Sequence, residues 1–194
     1  MVKIVGVAGS TRTGSFNAAL LRAAAEVLPR ESEIDIASIK DIPLYDGDLE
    51  KEHGVPQAAC ALKERIVRAD GLLIVTPEYN HSIPGVLKNA IDWLSRPPKD
   101  IARVFGGKPV VLMGATPGAG GTRLAQAALL PVLATLGTRP WLGKPVYVPD
   151  AKKAFDPQGR LVDDGVRQRV AQVLEGFVRF ISDVRASSHA HAAE

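Results

Sequence analysis

The residue types best suited to chemistry gather in three stretches: Gly9-Ser-Thr-Arg-Thr-Gly-Ser-Phe-Asn17, Thr76-Pro-Glu-Tyr-Asn-His-Ser-Ile-Pro84 and Thr116-Pro-Gly-Ala-Gly-Gly121. In the first, Ser10, Thr11, Thr13 and Ser15 supply neutral donors and Arg12 is the sole cation. An apolar run precedes this stretch and a helical pattern follows it. Such a junction aims free backbone N–H groups and a positive dipole end at one point, which seats a phosphate. The glycines at 6, 9 and 14 do not fit the Gly-x-Gly-x-x-Gly spacing of a dinucleotide loop. No lysine lies between Lys3 and Lys40, which excludes a Walker loop. Many neutral donors with one fork-shaped cation suit a terminal monophosphate. The competing reading is an ordinary strand–loop–helix connection with a serine N-cap.

The elements that must position these stretches follow from periodicity. Val2 to Ala8 is a continuous apolar run, expected as a buried strand, and Asn17, Leu20, Leu21, Ala24, Ala25 and Leu28 then recur at helical spacing. Residues 33–39 alternate as a second strand, and residues 41–54 are turn-rich. A helix from Pro56 to Asp70 leads to an apolar strand over 71–76. Val86, Leu87, Ala90, Ile91 and Leu94 mark the next helix, stopped by Pro97-Pro98. A strand over 110–115, a helix over 122–136 kinked at Pro131, and a short fifth strand over 144–148 come next. A loop over 151–159 and a closing helix over 162–184 end the pattern, and residues 187–194 are expected to be disordered. Alternating strands and helices imply a parallel sheet covered on both faces. The expectation is an α/β, flavodoxin-like three-layer sandwich over residues 1–186, with a five-stranded parallel sheet of order 2-1-3-4-5. The three stretches then meet at the carboxyl ends of strands one, three and four, beside the topological switch point.

Composition narrows the function classes. A chain of 194 residues, 46% of them hydrophobic, fits one domain. No apolar run is long enough to span a bilayer and no signal-peptide pattern opens the chain, so a cytoplasmic protein without membrane attachment is expected. The net charge of +3 is scattered, without a basic block carrying interleaved aromatics, so nucleic acid is not an expected partner. Cys60 is the sole cysteine, which excludes an intramolecular disulfide, and its helical context predicts a buried or half-buried filler. His189 and His191 lack partners at metal-ligand spacing, so no metal site is expected.

The first stretch, together with the second and its continuation Gly-Val-Leu-Lys-Asn-Ala-Ile-Asp-Trp-Leu-Ser95, resembles the NADPH-dependent FMN reductase family, closest in its quinone/chromate reductase branch. The resemblance runs from Lys3 to about Ile181. The third stretch departs from it, with Thr116 and glycines where relatives often carry serine. The resemblance implies one FMN per subunit, NADPH or NADH as reductant, and dimers or tetramers. It places Ser10, Arg12, Ser15, Phe16 and Asn17 around the FMN phosphate and its neighbouring ribityl oxygens. Pro77, Glu78, Tyr79, Asn80 and His81 would border the isoalloxazine, and Thr116 and Gly118 would close its other edge.

Within that frame the acceptor would be a quinone, an azo compound, chromate or free flavin. Tyr79 would lie near the ring's face, while Glu78 would act through its backbone. No side chain is required as an acid or base for hydride transfer, since the cofactor carries that chemistry. His81 is therefore a pocket or subunit-interface residue first, with a proton donor as the alternative. Lys88 and Asp92 read as a surface i, i+4 pair. Arg123 and Arg139 are candidates for the NADPH phosphate, against the plainer reading of charged surface. A flavodoxin-like electron carrier and a flavin-binding regulatory module remain the competing functions on the same fold.

Overall fold

The computed structural model describes residues 1–192, and the side chains of residues 1–187. Its strands are β1 (Val2–Ala8), β2 (Ser32–Ala37), β3 (Gly71–Val75), β4 (Pro109–Ala115), β5 (Arg139–Pro140) and β6 (Val146–Val148). Its α-helices are α1 (Phe16–Glu26), α2 (Gly47–His53), α3 (Gln57–Arg68), α4 (Gly85–Leu94), α5 (Ile101–Phe105), α6 (Arg123–Thr135), α7 (Ala151–Ala154) and α8 (Asp164–Ala192). All pairings are parallel, in the order β2-β1-β3-β4-β5, with β6 also on β4. The flavodoxin-like topology expected from the pattern is the observed one.

Each face of the sheet is covered by its own apolar cluster. On one face Leu20, Leu21 and Ala24 of α1 and Val170, Leu174, Phe177 and Ile181 of α8 pack on Ile4, Leu73, Val111 and Met113. On the other, Leu62 and Ile66 of α3, Leu87, Ile91 and Trp93 of α4, and Leu129 and Leu133 of α6 pack on Val5, Val7, Leu72, Ile74 and Val110. Alternate residues along the central strands therefore serve opposite cores, which is why β3 and β4 are apolar without a break, whereas the edge strand β2 carries Glu33 and Asp35.

The structure corrects several expectations. The strand expected over 144–148 forms over Val146–Val148, and a two-residue strand that was not expected, Arg139–Pro140, pairs with β4 before it. The turn-rich segment contains α2, capped by the Asp46 side chain. Pro43 and Tyr45 strap it to α4: Asn89 Nδ2 and Trp93 Nε1 both donate to the Pro43 carbonyl, at 2.8 and 2.9 Å, and Tyr45 N donates to Asn89 Oδ1. Cys60 is exposed on α3 rather than a core filler. The closing helix runs to Ala192, past the boundary drawn at 186; the rest of the tail, residues 193–194, lies outside the described residues. Among the described residues, no helix is long and apolar enough to cross a membrane, and no group of acidic, histidine and cysteine side chains could hold a metal.

Candidate functional site

The junction after β1 is built as its sequence suggests. Ser15 caps α1, its hydroxyl accepting from Ala18 N, and its own N–H donates to Arg12 O. Gly14 holds a left-handed φ of 73° that closes the turn. Among the described residues, the N–H groups of Thr11, Thr13, Gly14, Phe16 and Asn17 have no protein acceptor. The Arg12 guanidinium reaches only the Gly14 carbonyl, at 3.4 Å, and is exposed. Unused main-chain donors, a helix N-terminus and one unpaired guanidinium make a donor set for a phosphate.

Asn17 is buried, and its amide is committed to the main chain: Nδ2 donates to Ala115 O at 2.8 Å and Oδ1 accepts from Ala115 N at 2.9 Å. It ties the first junction to the end of β4. The Phe16 ring turns onto Phe155, 5.7 Å between centroids, beside a cleft of about 370 Å³ reaching to Lys152 and Gly159. Of these two residues, the backbone N–H groups are what the phosphate loop presents.

The junction after β3 is held from below and strained at its tip. Pro77 is buried and its carbonyl accepts from Thr76 Oγ1 at 2.8 Å. Tyr79 and Ser82 exchange both backbone hydrogen bonds, and Asn80 and His81 between them have φ of 50° and 59°. This is a two-residue turn with both central residues left-handed, the type I′ geometry. Asn tolerates that conformation well; His less so, and strain of this kind collects at ligand-binding sites. The Tyr79 ring is 48% exposed, and its hydroxyl lies 3.5 Å from Ser10 Oγ. Among the described residues, the N–H groups of Glu78, Asn80 and His81 also lack protein acceptors.

Glu78 does something the sequence did not reveal. Its Oε2 accepts from Leu124 N at 2.8 Å and Ala125 N at 3.1 Å, capping α6 from outside. The residue at the α6 N-cap, Thr122, is left-handed at φ 68° and has no capping bond; its hydroxyl accepts from Gln126 Nε2. A carboxylate at that helix end satisfies free N–H groups and complements the dipole. The His81 imidazole is 82% exposed, with Nδ1 3.5 Å from Glu78 Oε1.

The third junction folds back on the segment before α7: Asp150 N donates to Gly118 O and Ala151 N to Thr116 O. Thr116 Oγ1 accepts from Gly118 N at 3.4 Å. Gly114 is required where β4 ends, since a Cβ there would sit 2.3 Å from Thr76 O and 2.2 Å from Thr122 Oγ1. Gly9 likewise lets the first junction approach the second, its Cβ position lying 2.9 Å from Leu87 Cδ2. The three stretches thus form one surface, joined by Asn17, Glu78 and the Ser10–Tyr79 contact. Of the two arginines considered for the NADPH phosphate, Arg123 opens α6 beside the third junction and lies over Tyr147 at 5.6 Å, while Arg139 belongs to β5, where its N–H bonds Lys108 O at the opposite end of β4.

Comparison with known proteins agrees with this geometry. Residues 2–153 match the family model described as NADPH-dependent FMN reductase. The chain is 44% identical over 185 residues to an NAD(P)H-dependent FMN reductase of Pseudomonas aeruginosa, covering 95% of this chain and 97% of that protein. It is 40% identical over 187 residues to a quinone reductase of Escherichia coli K12, with coverage of 95% and 97%. Among solved structures, FerB of Paracoccus denitrificans, a flavoenzyme NAD(P)H:(acceptor) oxidoreductase, superposes with a TM-score of 0.83 at 32% identity, covering 94% of this chain and 98% of FerB. An archaeal flavodoxin superposes at 0.61 with 12% identity and 93% and 99% coverage, a likeness of fold alone.

Proposed function

Given that this chain belongs to the NADPH-dependent FMN reductase family, and is thus an oxidoreductase using FMN with NAD(P)H, we propose that it reduces quinones as its main acceptors. The observation that supports the placement of FMN is the set of unused main-chain donors around Arg12, facing the same end of the sheet as the exposed Tyr79 ring. The chemistry that FMN supplies is acceptance of hydride from NAD(P)H and its delivery to a second substrate.

The chain's own residues bind and orient. Ser10, Arg12 and Ser15, with the N–H groups of Phe16 and Asn17, hold the terminal phosphate. Asn17, through Ala115, keeps that loop at a fixed distance from Thr116 and Gly118. The unused N–H groups of Glu78, Asn80 and His81 read the polar edge of the flat ring, and Tyr79 lies against it. Pro77 and the Glu78 cap hold this turn in place before any ligand arrives, which lowers the ordering cost of binding. No side chain here is assigned a proton. One open surface beside Tyr79 serves nicotinamide and acceptor in turn, which gives ping-pong kinetics. Azo compounds, chromate and free flavin, being flat or electron-poor, are further acceptors on the same reading. A cytoplasmic dimer or tetramer completes it.

The test is spectroscopic. The purified protein is expected to be yellow, to bleach anaerobically with NADPH or NADH, and to recover colour on adding a quinone. A colourless protein that FMN does not reconstitute contradicts the reading. Light scattering reads the subunit number.

A further inference from the structure

A second cleft adjoins the first junction where it meets the end of β2. It has a volume of about 350 Å³ and lies between the first junction, α1 and the end of β2. Its basic side chains are Arg12, Arg22 and Lys40. All three are exposed, and among the described residues none meets a carboxylate. Ser10, Thr11 and Ser38 add hydroxyls, and no acidic residue lines the cleft. Its floor is apolar, with Leu21 and with Ile36, which is 45% exposed.

We infer that this cleft receives the phosphorylated adenosine end of the reductant, and that Arg22 and Lys40 thereby select NADPH over NADH. The inference rests on the oxidoreductase reading above. An apolar floor suits a purine, and a phosphate monoester calls for unpaired cations with hydroxyl donors. An adenosine lacking the 2′-phosphate offers only a neutral ribose hydroxyl, which leaves these cations without a charged ligand, and the cleft holds no carboxylate to accept from it. FMN ends at its own phosphate on Arg12, so the cleft beyond stays open to a second molecule. An FAD would instead fill it with its adenylate half, so the ligand chemistry is an adenosine phosphate and its source is decided by experiment.

FMN-loaded protein is titrated calorimetrically with 2′,5′-ADP and with 5′-AMP, unmodified and as Arg22→Ala and Lys40→Ala. The expected result is that 2′,5′-ADP binds about tenfold or more tighter than 5′-AMP, and that each variant removes most of that advantage. In steady state each variant lowers kcat/KM for NADPH by about tenfold and leaves NADH within about twofold, at unchanged FMN content. Equal affinity for the two nucleotides overturns the inference, and so do parallel losses with NADPH and NADH. Apoprotein that binds FAD tighter than FMN, with Arg22→Ala abolishing the difference, also overturns it by assigning the cleft to the cofactor. Failure of the underlying reading is separately visible, as bound flavin that neither nicotinamide bleaches.

Discussion

Two regions of the sheet treat their charges differently. In the middle of β2 and at the amino ends of β3 and β4, cations and carboxylates are matched. Arg65 forks onto Asp35 and also donates to Ile36 O at 2.8 Å, Lys63 is buried against Asp100, and Arg185 pairs with Asp70. Lys108, half-buried before β4, donates to Ala69 O at the end of α3, and burial pushes its ammonium below the usual lysine range. At the carboxyl ends of β1 and β2, Arg12, Arg22 and Lys40 stand without acidic partners among the described residues. Of the carboxylates near that end, Glu78 is turned to capping α6 and Asp156 to holding its own loop through Arg160. Matched charges fix strand and helix ends to each other; unmatched cations of one sign hold a field for an anionic ligand. On the proposed reading, the same residue types serve folding in one region and binding in the other.

The contrast is broken most severely at Asn17. Asn17→Ala strands the buried N–H and C=O of Ala115 and is expected to cost about 2–4 kcal/mol, read by urea denaturation, with loss of bound flavin. The next largest effect separates the two regions by function. Arg12→Ala is expected to weaken FMN binding by about 10- to 100-fold while leaving apoprotein stability within about 0.5 kcal/mol. Its counterpart in the matched region, Arg65→Ala, reverses the pattern: a stability loss of up to about 1 kcal/mol and unchanged FMN affinity. Matching effects of the two substitutions on both readouts would erase the distinction. Glu78→Ala removes the external cap of α6 and is expected to cost about 1 kcal/mol, with a measurable loss of FMN affinity because the Tyr79 turn is released; Glu78→Gln recovers part of both.

The smallest effect is a pH dependence carried by the matched pairs. Hydrogen bonds from Arg65 hold the Asp35 carboxyl below the usual carboxylate range, and one from Lys63 does the same for Asp100. A depressed folded-state pKa gives stability that is full above the ordinary carboxylate value near pH 4 and is lost as pH falls through the folded-state value. Tm is therefore expected to drop below about pH 4, and Asp35→Asn or Asp100→Asn to flatten that drop. Arg12→Ala should leave the acid limb unchanged.

Much of the fold was legible because apolar periodicity and strand–helix alternation are local signals. The junction proposed to seat the phosphate was legible as a run of hydroxyls and one arginine, and the structure puts that run between β1 and α1. What stayed hidden depended on contacts between distant segments. Nothing near Asn17 in sequence announces that its amide faces Ala115, ninety-eight positions on. Glu78 reads locally as a loop charge, and its role as a cap becomes visible only once α6 lies beside it. Gly114 sits inside an apolar strand, and its need for a missing Cβ comes from Thr76 and Thr122 on neighbouring segments. The two-residue strand Arg139–Pro140 was hidden because two residues carry no periodicity and its pairing is with Pro109 and Val110, thirty positions back. Lys40 and Arg22 are single charges in amphipathic surroundings, and only the cleft that joins them to Arg12 gives them a common purpose.

The account depends on the first junction recognising a terminal monophosphate. Apoprotein titrated with FMN and with riboflavin, followed by quenching of flavin fluorescence, tests that directly. FMN is expected to bind about 100-fold or more tighter than riboflavin, and Arg12→Ala to narrow the gap by about tenfold or more. Equal affinity for the two flavins, or a gap untouched by Arg12→Ala, would contradict it.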